Sequence, residues 1–301
     1  MKKHKFIAFL LIVALLLAAV PGALLAQDTT EEVDVVAEVV EPRLVELNEN
    51  LPEGYGVINV DAFLELLVEN EDVVILDVRE AGELEEFGVI EDSIHIPTRT
   101  IGPETLGFLP DLDATIVVVC KGGLRATIAA VALWTLGYEN TKILGGGFDA
   151  WVGEDLPVVD AAAEAELGDV PEDIDPLLME YVGEYMANLP DGWGAIGPVE
   201  LFEETFEGSP EFLFDVRSEE EWADPGYIEG ATNIWINEFM ANSDQFPEEL
   251  DADIVVYCKA GYRAGIGSTF LGLLGYENVR SLPSGTNGWL AADLPLVQPE
   301  S

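Results

Sequence analysis

The chain contains the same passage twice. Residues 51–58, Leu-Pro-Glu-Gly-Tyr-Gly-Val-Ile, return at 189–196 as Leu-Pro-Asp-Gly-Trp-Gly-Ala-Ile, an offset of 138 residues. The same offset lays Cys120-Lys121-Gly122-Gly123-Leu124-Arg125 over Cys258-Lys259-Ala260-Gly261-Tyr262-Arg263. A unit of this length is a domain rather than a solenoid repeat, and a chain of 301 residues can give each copy its own core. The only two cysteines are therefore equivalent positions of a duplication, which makes them the first place to look for chemistry.

Within each copy, short β-branched runs alternate with longer helical ones. Val73–Asp77 and Glu211–Asp215 read as strands ending in a carboxylate; Thr115–Val119 and Asp253–Tyr257 read as strands ending just before cysteine. Near-continuous apolar strands suit a parallel sheet covered on both faces. Each cysteine loop leads into a helical stretch, Ala126–Leu136 or Ala264–Leu274, stopped by Gly137 or Gly275 and followed by another short strand. Strand, loop, helix, strand is a βαβ unit, so the expected class is α/β: two domains, each a small open, mostly parallel sheet with helices on both faces. The expected layout is a signal or anchor over 1–26, an acidic segment over 27–50, a first domain over 51–158, a linker with a helix over 159–188, and a second domain over 189–298. Ligands of such sheets bind at the carboxyl ends of the strands, where both cysteines lie.

Lys2, Lys3 and Lys5 followed by the apolar run Phe6–Val20 read as an export signal, with Ala26 as a small residue before a cleavage point; retention as a membrane anchor is the alternative. Either places the working part outside the cytoplasm, periplasmic or secreted. The net charge of −45 repels nucleic acid and anionic membrane surfaces. A membrane partner follows only if the N-terminal segment is retained. No stretch spaces its carboxylates as an EF-hand loop does, and neither cysteine has a second cysteine or histidine nearby for zinc, so no metal or other cofactor is expected. A disulfide would have to join the same loop of two separate domains, and free thiols are expected instead.

A cysteine between a strand end and a helix N-terminus meets unpaired backbone amides and the positive end of the helix dipole, which should lower its pKa and give a thiolate near neutrality. Gly122, Gly123 and Gly261 permit the tight curvature of an anion-binding nest. Lys121 and Lys259 are two of only three lysines beyond the signal, and each adds positive charge beside a cysteine. Arg125 and Arg263 either brace the loop on carbonyls or a carboxylate, or hold an anionic substrate bidentately. Asp77 with Arg79, and Asp215 with Arg217, form Asp-Val-Arg triplets at the neighbouring strand end and read as scaffold. His95 has Asn233 as its counterpart and reads as structural.

The two cysteine loops, each preceded 43 residues earlier by Asp-Val-Arg and followed by Leu-Gly-Tyr and a Trp-containing turn, resemble the rhodanese (sulfurtransferase) domain over roughly 51–158 and 189–297. The resemblance implies that Cys120 and Cys258 carry sulfur as persulfides. It also implies that the loop residues Lys121, Gly122, Gly123, Leu124, Arg125, Lys259, Ala260, Gly261, Tyr262 and Arg263 cradle the donor. The implied partners are a small anionic sulfur donor such as thiosulfate and a thiol, cyanide or protein acceptor. The family's customary histidine is absent from Val89–Ser93 and from Tyr227–Ala231. Leu144–Trp151 keeps the family's Gly-Gly and Ala-Trp features, whereas Leu282–Trp289 loses the glycine pair, so the second site is expected to depart in geometry there.

Three other readings compete. A cysteine-dependent phosphatase or arsenate reductase has five residues between cysteine and arginine, and both loops here have four, a size suited to a single sulfur. A 3-mercaptopyruvate sulfurtransferase carries uncharged residues after the cysteine, unlike either loop. A non-enzymatic binding or redox-sensing module is expected to have lost the cysteine or the loop charge, and both are duplicated intact.

Overall fold

In the computed structural model of the protein, which describes residues 33–109 and 111–299, a helix already stands ahead of the first repeat. This is α1 (Glu41–Glu49), entered from a π turn over Val36–Val40. The first repeat then runs β1 (Val57–Ile58), α2 (Val60–Glu69), β2 (Val74–Asp77), α3 (Ala81–Phe87), β3 (Ile94–His95), β4 (Ile116–Val119), α4 (Leu124–Thr135), β5 (Thr141–Leu144) and α5 (Gly147–Gly153). Helix α6 (Pro176–Ala187) precedes the second repeat, capped by the Asp175 carboxylate with Pro176 in its first turn. The second repeat gives α7 (Pro198–Glu207), β6 (Phe212–Asp215), α8 (Glu219–Ala223), β7 (Thr232–Asn233), β8 (Asp253–Tyr257), α9 (Tyr262–Leu273), β9 (Asn278–Ser281) and α10 (Gly285–Ala291).

Both sheets are parallel, in the orders β1-β5-β4-β2-β3 and β7-β6-β8-β9. The counterpart of β1 is reduced to one parallel bridge between Ala195 and Ser281. The register pairs Asp77 with Val119 and Asp215 with Tyr257, so each Asp-Val-Arg triplet sits beside the residue that precedes a cysteine.

Strand alternation decides which way the cysteines face. Ile116, Val118 and Cys120 enter one core cluster, as do Ile254, Val256 and Cys258, while Val117 and Val119 pack on the opposite face of the first sheet and Val255 and Tyr257 on that of the second. The shared cluster lies between the domains and includes residues of α4 and α9. Helix α4 is buried at every position from Arg125 to Thr135, because one side covers its own sheet and another packs on α9. Close approach is made possible at Gly265, where a Cβ would stand 2.8 Å from the Thr127 methyl.

The helices that lead into the two repeats bridge the domains: Arg43 of α1 donates to the Trp134 and Thr135 carbonyls of the first, and Tyr181 of α6 to the Leu273 carbonyl of the second. Asn48 on α1 donates to the Ile236 carbonyl at 2.6 Å and accepts the Met240 amide at 2.9 Å, both in the second domain. Helix α6 lies against the first domain, with Gly183 facing Gly102 and Pro103. The segment 27–50, expected as an acidic lead-in, thus contributes Val40, Leu44 and Leu47 to the core. Residues from Asp34 onward form one compact unit. The apolar run Phe6–Val20, read as signal or anchor, lies outside the described residues. Among the described residues no helix is long and apolar enough to cross a membrane.

Candidate active site at the paired cysteine loops

Each cysteine ends a central strand, and the loop after it turns on a left-handed glycine, Gly123 at φ 117° and Gly261 at φ 96°. That conformation aims an amide at the sulfur: Gly123 N–H lies 3.0 Å from Cys120 Sγ, and Gly261 N–H lies 3.1 Å from Cys258 Sγ. The loop carbonyls point the other way. Cys120 and Lys121 oxygens accept the Phe148 and Asp149 amides at 2.7 and 3.0 Å, and Cys258 and Lys259 oxygens accept those of Thr286 and Asn287 at 2.8 and 3.0 Å. With its carbonyls tied to the next helix, the loop presents amides to the sulfur.

The second turn departs where the glycine pair is lost, Ser284 standing at φ −82° where Gly146 stands at φ 73°, yet the bonds from the turn to the loop carbonyls are kept. The indispensable glycine is the third of the first turn, Gly147, whose counterpart Gly285 is retained. A Cβ at either would overlap the carbonyl oxygens of the cysteine and the lysine of the loop.

Both thiols are free and buried. Burial pushes the Cys120 thiol up from its ordinary value, and this outweighs the amides of Ala126, Gly123 and Gly122 and the charge of Arg125, all of which pull it down. At Cys120, burial thus opposes the thiolate expected near neutrality and works against the amides of the nest. Lys121 and Lys259, expected to supply the charge beside the sulfurs, are exposed at the rim. Lys121 Nζ stands 5.6 Å from the centre of the Phe87 ring, and the cation acting on the Cys120 sulfur is Arg125.

Arg125 spends both terminal nitrogens on the Glu83 carboxylate, one contact at 2.7 Å and the other shorter. Arg263 does the same with Glu221 at 2.5 and 2.8 Å. Both arginines, carried as substrate-binding candidates, are thus held on carboxylates in this structure. Glu83 was not singled out in the sequence, and Glu221 counted there only as one of the acids 219–221 flanking Arg217. Each occupies the third position of α3 or α8 and closes a capping box with Glu80 or Ser218. The signal that could have found them is their separation of 42 residues from the arginine in both repeats. The hydrogen bond from Arg125 leads the effects that hold Glu83 below the ordinary carboxylate value, and that from Arg263 leads those that bring Glu221 from 4.5 to about 2. A depressed carboxylate stabilises the fold above its unfolded pKa, and that contribution is lost as pH falls through the folded one. The stability gap between the parent and Glu221→Gln in urea unfolding should therefore be widest above about pH 4.5 and shrink toward pH 2. A gap that stays constant over that window would contradict the pairing.

The triplets lie beneath the loops. Arg79 and Asp77 are each 1 % exposed and joined at 2.6 Å, with Arg79 also donating to the Gly88 carbonyl at 2.7 Å. Arg217 and Asp215 repeat this at 2.5 Å, with donations to the Glu221 and Gly226 carbonyls. His95 bonds the Arg79 carbonyl at 2.8 Å, and the Asn233 amide makes the same bond to Arg217 at 2.9 Å, which explains why an imidazole and a carboxamide interchange here.

A cavity of about 210 Å³ opens between the loops. It brings together Cys120, Gly122, Leu124 and Arg125 from the first loop with Ala260, Gly261 and Tyr262 from the second, and adds Thr127, Trp193 and Pro283. Cys258, Lys121, Lys259 and Arg263 do not line it. Trp193 entered the sequence reading only as a mark of the repeat. It and its counterpart Tyr55 adopt left-handed backbone, φ 65° and 61°, a conformation costly for aromatic residues and retained where surroundings enforce it. Their rings cross the interface: Arg125 lies 5.4 Å from the Trp193 ring, and Arg263 5.6 Å from that of Tyr55. Among the described residues no cluster of His, Cys, Asp and Glu is placed to hold a metal ion.

A family model described as "Rhodanese-like domain" matches residues 59–154 and 199–292, one match per repeat. The chain belongs to the rhodanese-like domain family. A Haloferax volcanii protein provisionally named a thiosulfate sulfurtransferase is 26 % identical over 298 residues, spanning 87 % of this chain and 94 % of its own. A 3-mercaptopyruvate sulfurtransferase of Rattus norvegicus is 24 % identical over 161 residues, 52 % of each chain. Among solved structures, the 3-mercaptopyruvate sulfurtransferase SseA of Escherichia coli aligns over 76 % of this chain and 98 % of its own, at 19 % identity and a TM-score of 0.38. The tandem arrangement of two rhodanese-like domains accounts for the duplicated sheets and for the placement of a cysteine loop at the carboxyl edge of each.

Proposed function

We propose that this protein is a sulfurtransferase that moves a sulfane sulfur from thiosulfate, or a related anionic donor, to a thiophilic acceptor through a persulfide on Cys120 and Cys258. The observation that carries the reading is the Cys120 sulfur lining a cavity with the Gly123 amide 3.0 Å away. In the first step the cysteine thiolate attacks the outer sulfur of the donor. The donor's S–S bond breaks, its electron pair leaves on sulfite, and Cys–S–S⁻ remains. In the second step a thiol or cyanide attacks that outer sulfur and the cysteine thiolate is released. Loop amides stabilise the negative outer sulfur beside a buried cysteine, and such bonds are stronger away from bulk water. Family membership and relatives named as sulfurtransferases support a transferase. The relatives' names divide between thiosulfate and 3-mercaptopyruvate, and Lys121 and Lys259 at the rim of a chain of net charge −45 favour the more highly charged donor. The N-terminal Lys2–Val20 pattern extends the proposal to an extracytoplasmic location.

Intact-mass measurement after thiosulfate treatment tests the reading: an adduct of about 32 Da, one sulfur, should appear and disappear on adding cyanide. No adduct on either cysteine would sink it. Because burial raises the Cys120 thiol, the loading rate of Cys120 should climb as pH rises through and beyond the ordinary thiol range. A rate already flat at neutral pH would show that the thiolate is formed there after all.

A further inference from the structure

The interface does not serve the two loops equally. At the position after the left-handed glycine the first loop has Leu124 and the second Tyr262, and both line the cavity with Cys120, which Cys258 does not. Tyr262 reaches out of its own domain. Its hydroxyl oxygen accepts the Gly146 N–H at 2.7 Å. Its ring edge covers Gly123, where a Cβ would come within 2.9 Å of both Cε1 and the hydroxyl. Gly123 is the residue whose amide bonds the Cys120 sulfur.

The phenol stays protonated. Burial raises its pKa first and the charge of Cys120 adds to this, against the Gly146 amide, which lowers it. A phenol both accepts and donates. The acceptor side is used on Gly146, and among the described residues the O–H has no protein acceptor. The corresponding position of the first loop, Leu124, is hydrocarbon and offers Cys258 no equivalent donor.

Resting on the persulfide reading above, we propose that Tyr262 is a substrate-contacting residue of the Cys120 site, donating its O–H to a sulfonate oxygen of the donor, and that this makes Cys120 the faster of the two cysteines. When the Cys120 thiolate takes the outer sulfur, negative charge grows on the departing sulfite. The Tyr262 hydrogen bond strengthens with that charge, and the phenol keeps its proton. The second domain thereby completes the site of the first, and the reverse contribution is missing.

Each site can be isolated with Cys258→Ser or Cys120→Ser, and thiosulfate loading followed by rapid quench and intact mass. Tyr262→Phe keeps the ring against Gly123 and removes only the hydroxyl. In the Cys258→Ser background it should slow loading of Cys120 about tenfold, the loss expected for one hydrogen bond to a charged group. In the Cys120→Ser background the loss should be several-fold smaller. Inorganic polysulfide, a donor without oxygens, supplies the control that a packing role would fail: the Tyr262→Phe penalty at Cys120 should shrink with it, whereas a damaged loop would slow both donors alike. Tyr262→Leu, which copies the first loop, should show the same donor dependence. Unchanged thiosulfate loading in Tyr262→Phe, or equal losses in both backgrounds or with both donors, would overturn this assignment while leaving sulfur transfer intact. Absence of any adduct in the parent would overturn the transfer reading itself, and this one with it.

Discussion

Replacing both Cys120 and Cys258 with serine should abolish sulfur transfer, lowering the rate by at least about three orders of magnitude, because the nucleophile and the covalent intermediate disappear together. Steady-state thiocyanate formation from thiosulfate and cyanide measures it. The single variants should not be equivalent. Both sulfurs have a loop amide at 3.0 or 3.1 Å, but only Cys120 lines the interdomain cavity. Cys120→Ser should therefore remove the larger share of the activity, and Cys258→Ser the smaller. A double variant that retains activity would remove cysteine from the mechanism. Single variants with equal losses would show that the cavity seen between the loops does not ration access to them.

The largest effect on stability is expected beneath the loops, at Asp215. Its carboxylate is fully buried and meets Arg217, itself 1 % exposed, at 2.5 Å. It also accepts the Arg217 backbone amide at 3.0 Å. Asp215→Ala leaves a guanidinium in the interior with the Glu221 and Gly226 carbonyls and the Tyr257 ring but no bonded carboxylate. Breaking such a pair from one side costs about 3–5 kcal/mol. Replacing both partners with apolar residues, Asp215→Leu with Arg217→Met, should recover much of that, because no charge is left stranded. Urea unfolding monitored by tryptophan fluorescence and circular dichroism measures both. A single variant as stable as the parent would show that water or another group reaches Arg217. The two domains share one core cluster across α4 and α9, so the loss should appear in the unfolding of the whole unit.

Much of this was legible because duplication repeats local causes. The β-branched runs before each cysteine announced central parallel strands, and Gly137 and Gly275 marked the helix ends, since each needs the left-handed backbone seen at φ 103° and 94°. The glycines of the cysteine loops were visible as curvature. What they were for, an amide aimed at a sulfur, follows from the chain's own geometry once φ is known. The roles of Glu83 and Glu221 were hidden because their carboxylates act on a residue 42 positions away, and one acid among 58 carries no mark of its partner. Lys121 and Lys259 follow the cysteines in sequence but are exposed. Adjacency in sequence put them beside the cysteines, while strand and loop geometry turned them to the rim.

Local pattern and spacing within a repeat sufficed for two α/β domains, a cysteine at the carboxyl end of a central strand in each, and four residues between that cysteine and the loop arginine. The cavity shared by the two loops, the burial that raises the Cys120 thiol, and the crossing of Tyr262 into the other domain to bond Gly146 emerge from the fold alone. Those outcomes depend on how one domain packs on the other. That packing is fixed by α4 and α9 meeting at Thr127 and Gly265 and by α1 and α6 bridging the two domains, contacts between residues too far apart in the chain for any local pattern to record.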